Sequence, residues 1–137
     1  MAPAITEFYA QWGESWRWWE FGTELGVGTG KQNTQNIVNH SVYSGNTDAA
    51  QLCANLIVIN DNNVFDDWFL PSLGELILMY ANLHLNNIGE FYGCSYWSSS
   101  ESNHLGAVWK LGFTPGGGSP VQYWNCYPNF VRAIRQF

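Results

Sequence analysis

The sequence predicts an α+β domain, in which an aromatic-rich strand region is followed by helices and then by a run of short strands. Three observations carry this. Residues 5–21 are dense in aromatic side chains and β-like, with a break at Gly13. The stretch Asp66-Asp67-Trp68-Phe69-Leu70-Pro71-Ser72-Leu73-Gly74-Glu75-Leu76 joins an extended segment to a strong helix start. Beyond that helix, four β-like pieces at 96–100, 107–113, 121–124 and 130–137 alternate with turns.

The helix start is the best specified element. Pro71 turns Leu70 away from helical angles, so the chain arrives extended. Ser72 then caps, and Glu75 stands three residues on, at capping-box spacing. Leu73, Leu76, Ile77, Tyr80 and Leu83 follow at helical spacing, with Leu78 and Met79 widening the stripe. So apolar a helix is expected at the centre of the core, buried on most sides. Trp68, Leu70, Leu76, Ile77, Tyr80, Trp97 and Trp109 are the expected buried set, and residues 102–105 are expected outside it.

The other elements follow in chain order. Trp12, Trp16, Trp18 and Trp19 put four indoles in eight residues. They fill the core or a subunit interface, which leaves a homo-oligomer open. Residues 22–30, GTELGVGTG, form a glycine-rich loop with Gly26, Gly28 and Gly30 alternating. No Lys-Ser/Thr pair follows, and no apolar strand leads into a long helix, so phosphate and dinucleotide binding are excluded. Asn33-Thr34 is the expected cap of a helix running to about His40. A second helix is expected from Asn46-Thr47-Asp48, carrying Ala49, Leu52, Cys53, Leu56 and Ile57 on one side. Asn60 to Asn63 reads as a polar turn. Asp61, Asn63, Asp66 and Asp67 alternate oxygen ligands, but the glycine and closing glutamate of a calcium loop are missing, so no metal is expected. Thr114 to Pro120 is a loop by its turn residues. Arg132 and Arg135 lie among apolar residues and call for carboxylate partners, with Glu101 and Asp67 the candidates.

At 137 residues the chain is read as one domain, 1–137, large enough to bury a core. Eight Trp, seven Tyr and eight Phe stand beside only five Lys or Arg, and the net charge is −6. Five cations supply no basic face for phosphate, so no nucleic-acid partner is expected, nor an anionic membrane surface. No run of about 18 apolar residues is present to span a bilayer, so no membrane insertion is expected. Met1-Ala2-Pro3-Ala4 lacks the regions of a secretory signal, so cytoplasmic synthesis without a signal peptide is expected. Cys53, Cys94 and Cys126 cannot all pair within one chain and are read as free thiols. His40, His84 and His104 share no ligand spacing. Ser98-Ser99-Ser100 reads as a hydrogen-bonding run, not a source of nucleophiles. Neither catalysis nor a cofactor is expected.

Three pieces then line up in order: DDWFLPSLGELILMYANL (66–83), YWSSSES (96–102) with AVWKLGF (107–113), and VRAIRQF (131–137). Together they resemble the bacterial and phage C-type-lectin-fold domains, with GTGKQNT and the Cys53-Ala54-Asn55-Leu56 helix also fitting, over roughly residues 22–137. Within that group the chain most resembles the variable proteins of diversity-generating retroelements. The resemblance implies a C-type lectin-like fold of two to three helices and a small, mostly antiparallel sheet. Its first and last strands should pair, which predicts residues 5–12 against 130–137. It implies a non-enzymatic, hypervariable ligand- or receptor-binding surface, carried on a phage tail or a cell surface. The partner would be a protein or glycan on a host or neighbouring cell. A metal-independent carbohydrate-binding module is the alternative, and an enzyme of the formylglycine-generating type a third. Calcium-dependent sugar binding is not expected, because Trp124-Asn125-Cys126 carries Cys where that site needs Asp, and the first sugar-site triplet is missing.

These elements mutate adenines, typically in asparagine-type codons that never yield Trp, Lys, Glu, Gln or Met. The resemblance therefore places Trp97, Glu101, Trp109, Lys110, Gln122 and Trp124 in the framework. It leaves Tyr92, Cys94, Ser95, Ser102, Asn103, His104, Leu105, Tyr123, Asn125, Cys126, Tyr127 and Asn129 as the candidate binding residues, within a variable region at 91–130. Those side chains are expected to face solvent.

Overall fold

The computed structural model of the protein describes residues 7–13, 21–40, 48–104, 106–114 and 116–136. The chain runs through β1 (Phe8–Ala10), α1 (Gly30–His40), α2 (Ala49–Ala54), β2 (Val58–Asn60), β3 (Asn63–Phe65) and α3 (Leu73–Asn82). A 3₁₀ turn, His84–Asn86, leads to β4 (Ser95–Glu101), β5 (Ala107–Gly112), β6 (Pro120–Trp124) and β7 (Asn129–Val131). Five strands form one sheet in the order β1-β7-β4-β5-β6, while β2 and β3 pair as a separate hairpin. Within the large sheet β4 and β7 run parallel and the other pairs antiparallel. The class is α+β, as expected. The polar turn is the tip of the β2–β3 hairpin, whose two strands the sequence reading did not anticipate. Asp61 and Asn62 sit at φ 48° and 66°, the left-handed pair that a two-residue primed turn demands.

The capping box forms. Ser72 Oγ accepts from Glu75 N at 3.3 Å, and Ser72 N donates to Glu75 Oε1 at 2.8 Å. It also explains the glycine-rich loop. Gly28 N donates to Glu75 Oε2 at 2.8 Å, Ser72 Oγ donates to Gly26 O at 2.8 Å, and Gly74 N donates to Leu25 O at 2.8 Å. The loop thus lies on the first turn of α3. A Cβ at Gly74 would meet Val27 N at 2.9 Å, so only glycine permits this approach.

Two packed groups flank the sheet, because adjacent side chains on β4 point to opposite faces. Trp97 packs with Ala10, Trp12, Trp68, Leu70, Val131 and residues of α1 and α2. Tyr96 packs with Leu76 and Met79 of α3 and with Leu111 and Phe113. Trp97 Nε1 donates to Ala10 O at 3.0 Å, and Trp12 Nε1 to Ser98 O at 2.8 Å, so both buried indoles are satisfied. Trp12 is therefore core; Trp16, Trp18 and Trp19 lie outside the described residues.

Next to Trp97 the serine run leaves the β5 ladder, whose register shifts between Trp97 and Glu101. Ser98, Ser99 and Ser100 are fully buried and hydrogen bonded. Ser98 Oγ donates to Trp109 O at 2.7 Å, Ser99 N to Pro71 O at 2.7 Å, and Ser100 Oγ to Glu24 O at 2.8 Å. Leu73 N donates to Ser100 Oγ at 3.0 Å, and Asn33 Nδ2 to Ser99 Oγ at 3.0 Å.

The first and last strands pair as expected, with Phe8, Tyr9 and Ala10 opposite Val131, Phe130 and Asn129. β7 is shorter than the terminal strand read from sequence. Beyond it, Phe69 and Ile134 form an isolated antiparallel bridge. Arg135 pairs with Asp67, one of the two candidate carboxylates, through bonds of 2.7 and 3.0 Å. Arg132 does not pair with Glu101. Its buried guanidinium pairs with Glu7, which the β1–β7 pairing brings alongside, and donates to Gly89 O at 2.7 Å. Tyr96 Oη donates to the same Glu7 carboxylate at 2.6 Å and accepts from Tyr92 N at 2.9 Å. Glu101 accepts from Phe21 N and Thr23 Oγ1 at 2.9 and 3.1 Å.

Four further expectations are corrected. α1 starts at Gly30, because Asn33 bonds to the Glu24 backbone and Thr34 to Gly30 O, one turn inside the helix. α2 ends at Ala54, leaving Ile57 exposed. On α3, Ile77 is 38 % and Leu78 46 % exposed, since the sheet takes only the Leu73–Leu76–Met79 side. Trp109 is half-buried and faces a cleft.

Two outcomes follow. Trp97→Ala should lower stability in urea unfolding by about 3–5 kcal/mol, the range for a buried aromatic truncated to alanine. Burial, then the hydrogen bond to Glu7, pushes the Tyr96 hydroxyl well above its ordinary value. The folded state thus favours the neutral phenol. That contribution is whole below about pH 10, the unfolded tyrosine value, and is lost as pH rises beyond it. Tyr96→Phe should flatten the alkaline arm of a stability–pH profile.

Candidate ligand-binding surface

The β4–β5 and β6–β7 connections come from separated parts of the sequence and are tied together. The first connection is held by bonds among its described residues: Ser102 N to Ala107 O at 3.0 Å, His104 N to Ser102 Oγ at 3.0 Å, and Ala107 N to His104 O at 3.1 Å. Asn125 N then donates to Gly106 O at 3.0 Å, joining the two loops. Asn125 O accepts from Trp12 N and Gly13 N, anchoring the second loop to the segment after β1.

Strand register sets which side chains share a face. Trp109 stands opposite Gln122 and Ala107 opposite Trp124, so Trp109, Gln122 and Trp124 project from one face of the β5–β6 pair. Val108, Lys110, Val121 and Tyr123 project from the other. Trp124 is 57 % exposed. Its ring lies over Gly106, where an added Cβ would meet ring carbons at 3.7 Å. Gly106 itself sits at φ 79°, where a side chain is strained.

Two clefts open around these residues. The larger, about 560 Å³, is lined by Thr23, Leu25, Glu101, Asn103, Trp109 and Gln122, with Ser102 and Gly22 at its wall. The smaller, about 260 Å³, is lined by His104, Ala107, Gln122, Tyr123 and Trp124. Gln122 belongs to both. Among the described lining residues the formal charge comes from Glu101, with neither Lys nor Arg present. On the opposite face, Lys110 Nζ sits 3.9 Å from the Tyr123 ring centre and 3.4 Å from Asn129 Oδ1. Burial there lowers the lysine's proton affinity. Tyr127 packs against Tyr123 with ring centres 5.5 Å apart.

The candidate residues fall into three groups. Ser102, Asn103 and His104 converge on the clefts; Tyr123 borders the smaller one, but its ring lies on the opposite face, with Tyr127 exposed beside it. Tyr92, Cys94 and Ser95 lie at the far end of β4 and line neither cleft; Tyr92 stacks on Phe130 at 5.3 Å. Asn125 and Asn129 do not face solvent, being only 7 % and 9 % exposed. Asn125 is drawn inward by its ties to Gly106, Trp12 and Gly13, and Asn129 by β7 pairing and Lys110. Cys126 is half-buried, and Leu105 lies outside the described residues. Glu101, Trp109, Gln122 and Trp124, placed in the framework, are among the lining residues that the sequence reading missed, with Thr23, Leu25 and Ala107. The alternation of Gln122 and Trp124 along β6 was the available signal.

Among the described residues no three His, Cys, Asp or Glu side chains group to hold a metal ion, and no helix is long and apolar enough to cross a membrane. The thiols differ in reach: Cys94 is exposed, while Cys53 is buried and its thiol is pushed far up by burial. A small maleimide should label native protein first at Cys94, and Cys53 only after denaturant is added, as read by mass spectrometry. Comparison of the chain with protein-family models, with curated proteins and with solved structures finds no match.

Proposed function

We propose that the protein is a non-enzymatic binding module of C-type lectin-like architecture. It displays a diversified surface of the kind carried by the variable proteins of diversity-generating retroelements, for host-receptor recognition by a phage or for display on a bacterial surface. One observation carries the reading. Ser102–His104 and Tyr123–Tyr127, separated in sequence, are brought to one end of the β5–β6 pair by the bond from Asn125 N to Gly106 O. The pairing of β1 with β7 and the capped α3 accord with the architecture. Exposed tyrosines beside small polar side chains suit ligand recognition, since Tyr offers a large contact area at low entropy cost. Glycan recognition without a metal is the second reading, favoured by the exposed Trp124 ring beside Gln122.

The flanking DNA tests the origin of the surface. A near-copy of the 3′ coding region that differs at adenines, beside a reverse transcriptase gene, is the expected finding. A paired substitution scan tests its use. Asn103→Ala, His104→Ala, Tyr123→Ala and Tyr127→Ala should each shift stability by less than about 0.5 kcal/mol, as exposed positions do. The same changes should reduce or redirect binding to a panel of intact bacterial cells. Arg132→Ala should instead unfold the domain, leaving the Glu7 carboxylate buried without its partner. Loop substitutions that unfold the protein, or that leave cell binding unchanged, would sink the reading.

A further inference from the structure

We infer that the two clefts form one metal-independent site for a neutral oligosaccharide, held by Trp109 and Trp124 with Gln122 between them. This rests on the binding-module reading and names the class of ligand. Trp109 stands directly across from Gln122, and Trp124 follows two residues along the same strand. Two indoles therefore flank one carboxamide, at the spacing of neighbouring residues on a single sheet face. Trp124 offers an open ring to solvent while its other side rests on Gly106, so its orientation is set before any ligand arrives. Trp109 forms part of the wall of the larger cleft.

A pyranose ring presents a face of polarised C–H bonds and a rim of hydroxyls. The negative face of an indole attracts the first. Carboxamide groups suit the second, and here they are Gln122 and Asn103. Gln122 lines both clefts, so one amide can bond to hydroxyls of two successive sugars. Charge selects among glycans, because the chain carries a net charge of −6. Uronate, sialate and sulfate groups are repelled, which leaves neutral hexose or N-acetylhexosamine chains. Because Trp109, Gln122 and Trp124 fall outside the candidate variable positions, the site is a fixed element beside them.

The test is titration of the full chain with maltohexaose, cellohexaose and chitohexaose, with polygalacturonate as the anionic control. Binding is followed by the indole N–H signals of Trp109 and Trp124 in nitrogen-correlated NMR spectra. At least one neutral hexasaccharide should shift both signals in a saturable manner, unaffected by chelator, and polygalacturonate should not. Trp124→Leu keeps an apolar side chain but removes the π face. It should weaken the apparent affinity by about tenfold or more, equivalent to ~1.4 kcal/mol. Gln122→Ala should weaken it as well, while Trp124→Phe should retain part. Trp124 and Gln122 are outside the packed core, so melting curves of these variants should match the parent. Indole signals that stay fixed with all three hexasaccharides, undiminished binding by Trp124→Leu, or preference for polygalacturonate would each overturn the inference. If the hexasaccharides fail while the loop substitutions still alter cell binding, the glycan inference alone falls and the binding-module reading stands.

Discussion

The buried serine run of β4 is the constraint on which the rest of this structure depends. Ser98, Ser99 and Ser100 pass through the core with no solvent contact, so every polar group they carry must be met inside. They are met by β5 through Trp109, by the segment before α3 through Pro71, by α3 itself through Leu73, by α1 through Asn33 and by the glycine-rich loop through Glu24. Losing a single hydroxyl leaves donors or acceptors unmet in a place water does not reach, a cost of about 1–3 kcal/mol for each such group. The ladder between β4 and β5 is sacrificed over these residues, and the register shift before Glu101 is the visible result.

That shift also positions the clefts. With β4 diverted into the core, Trp109 gives its backbone oxygen to Ser98 and its ring lines the space beside Thr23 and Leu25. Glu101, where β4 returns to pair with Val108, accepts from Phe21 N and Thr23 and so fixes the far wall. The loop that caps α3 and the loop that bounds the larger cleft are one continuous segment. Core polarity, helix capping and site shape are therefore not independent features of this chain.

What the sequence made legible was governed by range. The capping box at Ser72 and Glu75, the turn at Asp61-Asn62 and the strands of the C-terminal half rest on neighbouring residues, and those readings hold. Asp67, one of the two candidate carboxylates, does pair with one of the arginines, Arg135. Arg132 went to Glu7 instead of Glu101, because the choice depends on the β1–β7 register, which spans nearly the whole chain. Asn33 shows the converse error. It reads locally as a cap, yet its amide serves Glu24 and Ser99 within the helix. Apolar periodicity located α3 but not which of its sides the sheet would take, so Ile77 and Leu78 were misplaced. At the site, side-chain chemistry picked out Ser102, Asn103, His104 and Tyr123. It had no view of the backbone ties that bury Asn125 and Asn129.

β6 stands at the outer end of the five-stranded sheet, and among the described residues no strand pairs with its free side. An exposed sheet edge is a template onto which another chain can add. Among the described residues it is blunted by Pro120 at its start, and it displays Val121, Tyr123 and Trp124 to solvent. The protein therefore carries its clefts on the strand where edge-to-edge association would begin. A bound ligand covering Gln122 and Trp124 would also shield that edge, so occupancy and resistance to aggregation become properties of the same few residues.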